Sequence, residues 1–399
     1  QDFPPHLPSP PRVQCRLQSL QTLPSSMASS PSHLPSTTLP LVLLPLLLIA
    51  IPPSLSTASS SSPSTTSTDA RLTAIRTLCR STPHPDDCFD SLKLSITINI
   101  NPSILGYVFQ SLRSAIAEAA KLSDLFTPSS AGVVEKLRGS LQDCRELHQS
   151  TLSCLEKSAS LVQSRGKLSD VRTQLSAALT NRATCLEGLA GASGPGKPAL
   201  LASVAAAYKH VTNSLSLLPK EAAPNHRRRH LGGADGDWFP AWVSRRARRL
   251  LQSGGGDDDH GYDPGSILTV AGDGSGNFTT VGAAIAFAPN NSDDRTIIIV
   301  RAGTYQENVE VPSNKTNIVL LGDGCDVTVI RARRSAGDGW TTFRSATVAV
   351  SGEGFLARDI AFDNAAGAAK GQAVALRVNA DLVALYRCAM TGHQDTLYA

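Results

Sequence analysis

Near its end the chain reads Gly392-His393-Gln394-Asp395-Thr396-Leu397-Tyr398, which sets a neutral amide beside a titratable carboxyl group. An apolar, strand-like run at 382–388 precedes it, and twenty-two residues before Gln394 a second amide, Gln372, opens Gln-Ala-Val-Ala-Leu-Arg. Amides are fixed donors for a developing oxyanion, and a carboxyl group passes protons to a leaving alcohol and takes them from water. Attack on an ester would also need a nucleophile. The acid would work near neutral pH only where burial or a like charge raises its pKa. The bland alternative keeps the same residues structural. Gln394 and Asp395 would cap a turn after a strand, and Gln372 would satisfy backbone groups at a corner. No clustered His/Cys pattern would hold a metal, so neither metal nor cofactor is expected.

The residues around these groups have a β-rich texture. From 267 onward, short runs at 296–301, 317–321, 327–331, 347–350, 355–362, 374–378 and 382–388 are divided by Gly, Asn and Asp. Val319-Leu-Leu-Gly-Asp-Gly324 is echoed thirty residues later by Ala349-Val-Ser-Gly-Glu-Gly354, and Asp359-Ile-Ala-Phe362 twenty-eight later by Arg387-Cys-Ala-Met390. Repeats at that interval suit a parallel β-helix, in which each rung covers the edge of the last. A β-sandwich would share the strands but has no reason to repeat. The stretch 303–309 reads as a structural turn.

Residues 70–218 read differently, as helices. Ile104, Val108, Leu112, Ala115 and Ala119 recur at helical spacing, as do Val133, Leu137, Leu141 and the apolar positions of 147–151. Leu168, Val171, Leu175, Ala178 and Leu179 form another face, and 200–218 a last helix. Pro102 and Pro198 stand at helix starts, where a missing N–H costs nothing. Four antiparallel helices in a bundle are the economical assembly.

Composition bounds the rest. The chain has 399 residues, 41% hydrophobic, 5% aromatic and 18% charged, which gives packed cores and excludes a nucleic-acid binder. The net charge of +4 is local, because residues 225–251 hold seven Arg against two Asp. Met27 precedes thirteen uncharged residues, 39–51, and then a small-residue stretch. That pattern predicts a secretory signal, with an uncleaved anchor ranked second. Eight Cys and three Asn-x-Ser/Thr sequons at Asn277, Asn290 and Asn314 agree with an oxidising, secreted destination. The expected organisation is upstream sequence at 1–26, signal and spacer at 27–68, a helical domain at 69–219, a basic and Gly/Asp linker at 220–263, and a β domain at 264–399.

Two families are resembled. Leu141-Gln-Asp-Cys-Arg-Glu-Leu147, Leu179-Thr-Asn-Arg-Ala-Thr-Cys-Leu-Glu-Gly188 and the cysteine pattern resemble the plant invertase and pectin methylesterase inhibitors. The resemblance implies disulfides Cys79–Cys88 and Cys144–Cys185 with Cys154 free, although four cysteines alone allow three pairings. Cys325 and Cys388 stay open. From 264 onward, Val270-Ala-Gly-Asp-Gly-Ser-Gly-Asn-Phe-Thr-Thr-Val281, Gly303-Thr-Tyr-Gln-Glu-Asn-Val309, Asp338-Gly-Trp-Thr-Thr-Phe343, Gly354-Phe-Leu-Ala-Arg-Asp-Ile360 and the two Gln segments resemble plant pectin methylesterases. That family implies a right-handed parallel β-helix hydrolysing methyl esters of polygalacturonate in the cell wall. It implies Gln372 and Gln394 as the oxyanion hole, Asp395 as general acid/base, Thr342 as a substrate contact and His393 as pocket lining.

The family's nucleophilic Asp, in an Asp-Phe-Ile-Phe-Gly-type segment, has no counterpart in these 399 residues, nor have its substrate-binding Arg and Trp. Arg248, Arg249, Leu250 and Leu251 are similar to the site where a subtilisin-like protease removes the inhibitor-like half. The other reading is a solvated linker. Two functions compete: an esterase precursor with an autoinhibitory helical half, inert as residues 1–399, and a secreted non-catalytic binding protein with a degenerate β-helical tail.

Overall fold

A computed structural model describes residues 65–97, 103–126, 132–219, 243–252 and 267–399. Residues 27–64 of the expected signal and spacer, Pro102, and the linker on either side of 243–252 lie outside the described residues, while 65–68, expected as spacer, already form the start of the first helix. The helical part comprises α1 (Thr65–Cys79), α2 (Pro85–Thr97), α3 (Ile104–Ala120), α4 (Ser140–Gln163), α5 (Leu168–Gly188) and α6 (Lys197–Leu217). Helices α3 to α6 share one core in which Leu112, Leu155, Leu175 and Val204 are buried, because their apolar residues recur every three to four positions. Cys79 bonds Cys88, and Cys144 bonds Cys185. Cys154 and Cys388 are free, whereas Cys325 is disulfide-bonded.

One helical expectation fails. Val133 and Leu137 do not extend α4, which starts at Ser140. Gly139 takes a left-handed conformation there, with φ of 85°, and interrupts the helical path. The Glu135 carboxylate folds back to accept the Leu141 N–H at 2.6 Å, and Val134 pairs as a bridge with Ser193.

A short helix, α7 (Arg245–Gln252), precedes the β domain, which contains β1 (Leu268–Val270), α8 (Val281–Phe287), β2 (Thr296–Val300), β3 (Gly303–Gln306), β4 (Val309–Val311), β5 (Ile318–Gly322) and β6 (Thr328–Ala332). It continues with β7 (Val348–Val350), β8 (Leu356–Arg358), β9 (Ala361–Asn364), β10 (Leu376–Val378), β11 (Ala384–Tyr386), β12 (Ala389–Thr391) and β13 (Leu397–Tyr398). Every strand pair is parallel. Three sheets result: β1-β2-β5-β8-β11, β3-β6-β9-β12 and β4-β7-β10-β13. The β domain is a parallel β-helix.

Like residues stack from rung to rung. Ile298, Leu320, Ala357 and Leu385 are in register and point inward in the first sheet. Tyr305, Ile330, Phe362 and Met390 do so in the second. Parallel strands covered on both faces carry apolar residues at consecutive positions, hence runs such as Thr296-Ile-Ile-Ile-Val300 without alternation.

The register bears out one reading and corrects two. The 28-residue echo is a true rung, with Ala361 paired to Ala389 and both Asp359 and Arg387 at positive φ in equivalent corners. The thirty-residue echo is not, since Val319 pairs with Leu356 while Ala349 lies in another sheet. Residues 355–362 make two strands, split where Asp359 turns the corner. Gly322 meets the corner closely, and a Cβ there would collide with the Asp359 carbonyl.

The stretch 303–309 is not a simple turn but β3 and the entry to β4. Glu307 between them accepts the Val281 and Gly282 N–H groups at 2.8 and 2.9 Å, which caps α8.

The Cys144–Cys185 bond closes a separation of 41 residues. Replacing both cysteines with serine should cost the bundle about 4 kcal/mol by the chain-entropy relation. Chemical denaturation followed by helical circular dichroism checks this, and an unchanged midpoint would refute it.

Candidate functional site

Gln372 and Gln394 form a parallel bridge between adjacent rungs. The Ala373 N–H donates to the Gln394 carbonyl at 3.0 Å, and the Ala336 N–H donates to the Gln372 carbonyl at 2.8 Å, so three successive rungs fix this corner. Residues paired in a parallel ladder project to the same face, so the two amides share one side of the sheet. Gln372 is half-buried, and Gln394 and Asp395 are exposed.

Asp395 is held at φ of 60°, in the left-handed region. Leu376 follows Gln372 by four positions, whereas Leu397, the partner of Leu376 in the next rung, follows Gln394 by three. The surplus is absorbed where the N–H groups of Ala375 and Leu376 both donate to the Thr396 carbonyl, at 2.9 and 3.2 Å. This is a β-bulge, a device that re-aims side chains, and it lies beside the left-handed Asp395. The sequence signal for it is the mismatch between the 22- and 21-residue spacings.

The enclosure that an acid would need is not built around Asp395 by the described residues. Thr342 is half-buried and leads into the single 3-10 turn Phe343–Ser345, its carbonyl accepting the Ser345 hydroxyl at 2.7 Å. Its neighbour Thr341 makes the more telling contact, donating to Asp143 of α4. A separate cavity of about 250 Å³ lies upstream along the same row of corners, lined by Gln306, Asn308, Arg331, Arg333 and Ala365 among others.

The helical bundle rests against the outer face of the third sheet. Glu310, Ala349, Arg377 and Tyr398 are in register across β4, β7, β10 and β13 and make one outward row, with Tyr398 one rung beside Arg377. Arg344, almost wholly buried, points Nε at Asp143 at 2.8 Å, Nη2 at Glu146 at 2.8 Å and Nη1 at Glu310 at 3.1 Å. Phe343 joins the core of the bundle, edge-on to Tyr398 with ring centroids 6.3 Å apart. At the rim, Lys157 pairs with Glu353 at 2.7 Å and Gln174 donates to Asp381 at 3.0 Å.

Burial works against the charge on Arg344, but Asp143, Glu146 and Glu310 outweigh it and hold the guanidinium above its ordinary pKa. Burial also pushes the Asp143 carboxyl up, against the pull of Arg344 and Thr341. These directions oppose one another, and the geometry decides. With Arg344 Nε and the Thr341 hydroxyl both donating to Asp143, and the other guanidinium donors on Glu146 and Glu310, the ionised pair satisfies every partner. Sequence reasoning missed Thr341, Phe343, Arg344 and Arg377. The signal available was a charged residue at the outward position of an otherwise apolar strand, Leu376-Arg377-Val378.

The sequons fall on exposed residues, Asn277, Asn290 and Asn314. Residues 248–251, expected from their sequence to be a processing site, do not stand in an open linker. Leu250 and Leu251 of α7 are buried against Ile297, Val319, Leu321 and Leu356 on the outer face of the first sheet, because those outward apolar residues need cover. Arg358 Nη1 donates to the Leu250 carbonyl at 2.7 Å, and Arg248 Nε to the Val243 carbonyl at 2.8 Å.

Comparison with known proteins places both halves. Residues 73–217 match the plant invertase/pectin methylesterase inhibitor family model, and residues 267–399 match the pectinesterase model. A probable pectinesterase/pectinesterase inhibitor 12 of Arabidopsis thaliana is 55% identical over 341 residues, 82% of this chain and 61% of that protein. A pectinesterase/pectinesterase inhibitor of Prunus persica is 43% identical, covering 66% of this chain and 49% of that one. Among solved structures, a pectin methylesterase from carrot is 57% identical over 33% of this chain and 41% of its own, with a TM-score of 0.33. The chain thus spans about half to three-fifths of the length of these curated relatives. Residues 73–217 thus belong to the plant invertase/pectin methylesterase inhibitor family, and residues 267–399 to the pectinesterase family.

Proposed function

We propose that the protein to which these residues belong hydrolyses methyl esters of cell-wall homogalacturonan, giving acidic pectin and methanol, after secretion. The observation that carries this reading is the register that places Gln372 and Gln394 on one face beside the left-handed Asp395. In the proposed reaction a carboxylate supplied from outside these 399 residues attacks the ester carbonyl. The two amides donate to the oxyanion, which expels methanol as Asp395 delivers a proton. Asp395 then takes a proton from the water that releases the acid. Thr342 contacts substrate, and N-glycans occupy Asn277, Asn290 and Asn314.

The helical bundle acts as an autoinhibitor in this reading. It covers the outward face of the rungs that carry the amides, and the buried Arg344 cluster locks it there. A subtilisin-like protease acting at Arg248, Arg249, Leu250 and Leu251 separates the halves. The motif is sheltered by its own packing, so cleavage requires α7 to leave the first sheet.

Activity is tested by methanol release from methylated pectin. Residues 1–399 alone should release none, and measurable methanol would refute the placement of the nucleophile outside them. In a form extended through the nucleophile and freed of the bundle, Asp395→Asn should lower kcat by about 10²- to 10⁴-fold. Gln394→Ala should lower it by about 10²- to 10³-fold. Equal activity before and after removal of the bundle would exclude autoinhibition.

Shelter of the processing motif is tested separately. Ile297→Ala undermines the seat of α7 without altering the motif, at a cost of about 2 kcal/mol or more. Cleavage at the motif should quicken by at least about thirtyfold if it follows the open population. An unchanged rate, read by gel after addition of a subtilisin-like protease, would mean that α7 does not control access.

A further inference from the structure

We propose that Arg344 and Arg377 form a carboxylate-binding pair on the covered face of the third sheet. Asp143 and Glu146 of the bundle occupy this pair in place of the free carboxylates of de-esterified galacturonate units. The proposal rests on the pectin reading above and deepens it: units already stripped of methyl groups are gripped beside the ester about to react.

Arg377 is the starting point. It is 2% exposed and stands in the outward row between Ala349 and Tyr398. Its Nη1 donates to the Phe343 carbonyl at 3.1 Å, and its guanidinium carbon sits 3.5 Å from the centre of the Phe343 ring. Its Nη2 lies 3.9 Å from Glu146, too far for a hydrogen bond, and its Nε meets no acceptor among the described residues. Burial lowers its pKa to about 10. A guanidinium has five donors arranged for planar, bidentate partners, and this one is under-used by the bundle that covers it. An anchor built only to hold the bundle would have its donors filled.

Arg344 beside it shows what fills such donors, since three carboxylates surround it and two come from the bundle. The two guanidiniums repel one another. Removing the bundle withdraws Asp143 and Glu146 and leaves this like-charged pair on the rung of Gln372 and the rung before it, with Glu310 as the remaining acid. The face would then favour an anionic ligand. Methyl-esterified units carry no charge, whereas de-esterified units carry one carboxylate each, so the pair separates product-like stretches from unreacted ones. Gln372 and Arg377 belong to one continuous segment, which puts this grip a few sugar units from the reacting ester.

The test uses the full 399-residue chain and two probes, a fully de-esterified oligogalacturonate and its fully methyl-esterified counterpart. Asp143→Asn with Glu146→Gln removes the resident carboxylates and leaves both arginines. By calorimetry, this double variant should bind the acidic oligomer about tenfold or more tightly than the unaltered chain does, and salt should weaken the binding. Adding Arg344→Ala should abolish the gain. Acidic oligomer bound equally by the unaltered chain and the double variant, or bound without regard to Arg344, overturns the proposal. If only the esterified oligomer binds, the pectin reading survives and this inference falls. If neither oligomer binds, both fall. Should the double variant fail to fold, hydrogen exchange in α4 of the unaltered chain decides. Saturating acidic oligomer should speed exchange across Ser140–Gln163, and no change would overturn the competition.

Discussion

The arrangement depends on Arg344, a cation buried where two domains meet. A single buried guanidinium is costly unless its donors are matched, and here Asp143, Glu146 and Glu310 match them while Thr341 completes Asp143. Neither domain alone encloses this group. The β-helix supplies Arg344, Thr341 and Glu310; the bundle supplies Asp143 and Glu146, on the helix stapled to α5 by Cys144–Cys185. Removal of Arg344 leaves the buried Asp143 carboxylate without its cation, and removal of Asp143 leaves Arg344 Nε without its acceptor. That makes the interface specific in register as well as adhesive.

A parallel β-helix creates the need for such an interface. Its inward rows fill one another, as Ile298, Leu320, Ala357 and Leu385 do. Its outward rows need cover of another kind. On the first sheet the cover is α7, whose Leu250 and Leu251 lie on Ile297, Val319 and Leu356. On the third sheet it is the bundle. The two covers differ in chemistry. The α7 seat is apolar and favours burial of its own motif, while the bundle seat is centred on charge and would suit an acidic polymer as well as an acidic helix.

Much of this was legible in the residues. Helical periodicity marked the bundle, and the 28-residue echo between Asp359 and Arg387 marked the rung, whose equivalent corners both take positive φ. The thirty-residue echo misled, since Gly-Asp-Gly and Gly-Glu-Gly turns recur wherever chains bend, whichever sheet they join. Val133 and Leu137 kept helical spacing while Gly139 broke the path. The bulge between Ala375 and Thr396 was visible as a spacing mismatch only once the rungs were paired. Asp143 and Arg344 could not be matched from sequence, as nothing local ties residues 201 positions apart. Asp395 and the two glutamines were singled out by type and order, whereas the common face of Gln372 and Gln394 followed only from their pairing.

One rung joins the two covers. Arg358, at the end of β8, holds the Leu250 carbonyl of α7, and Arg377, in β10 of the same rung, lies under Phe343 and the bundle. Residues 248–251 therefore belong to one of two docked elements that lean on one coil. While the chain is intact, docking of the bundle is intramolecular, at an effective concentration of roughly millimolar for a linker that spans the sites. Severing the chain at the motif leaves every contact of Arg344 in place but removes that advantage. Bundle release then becomes a bimolecular equilibrium that dilution favours, and an acidic polymer would compete for the same guanidiniums. Under the proposed function, cleavage would act on the entropy of the connection and the polymer on the charge of the seat, so each would lower a different part of the barrier to freeing the outer face of the third sheet.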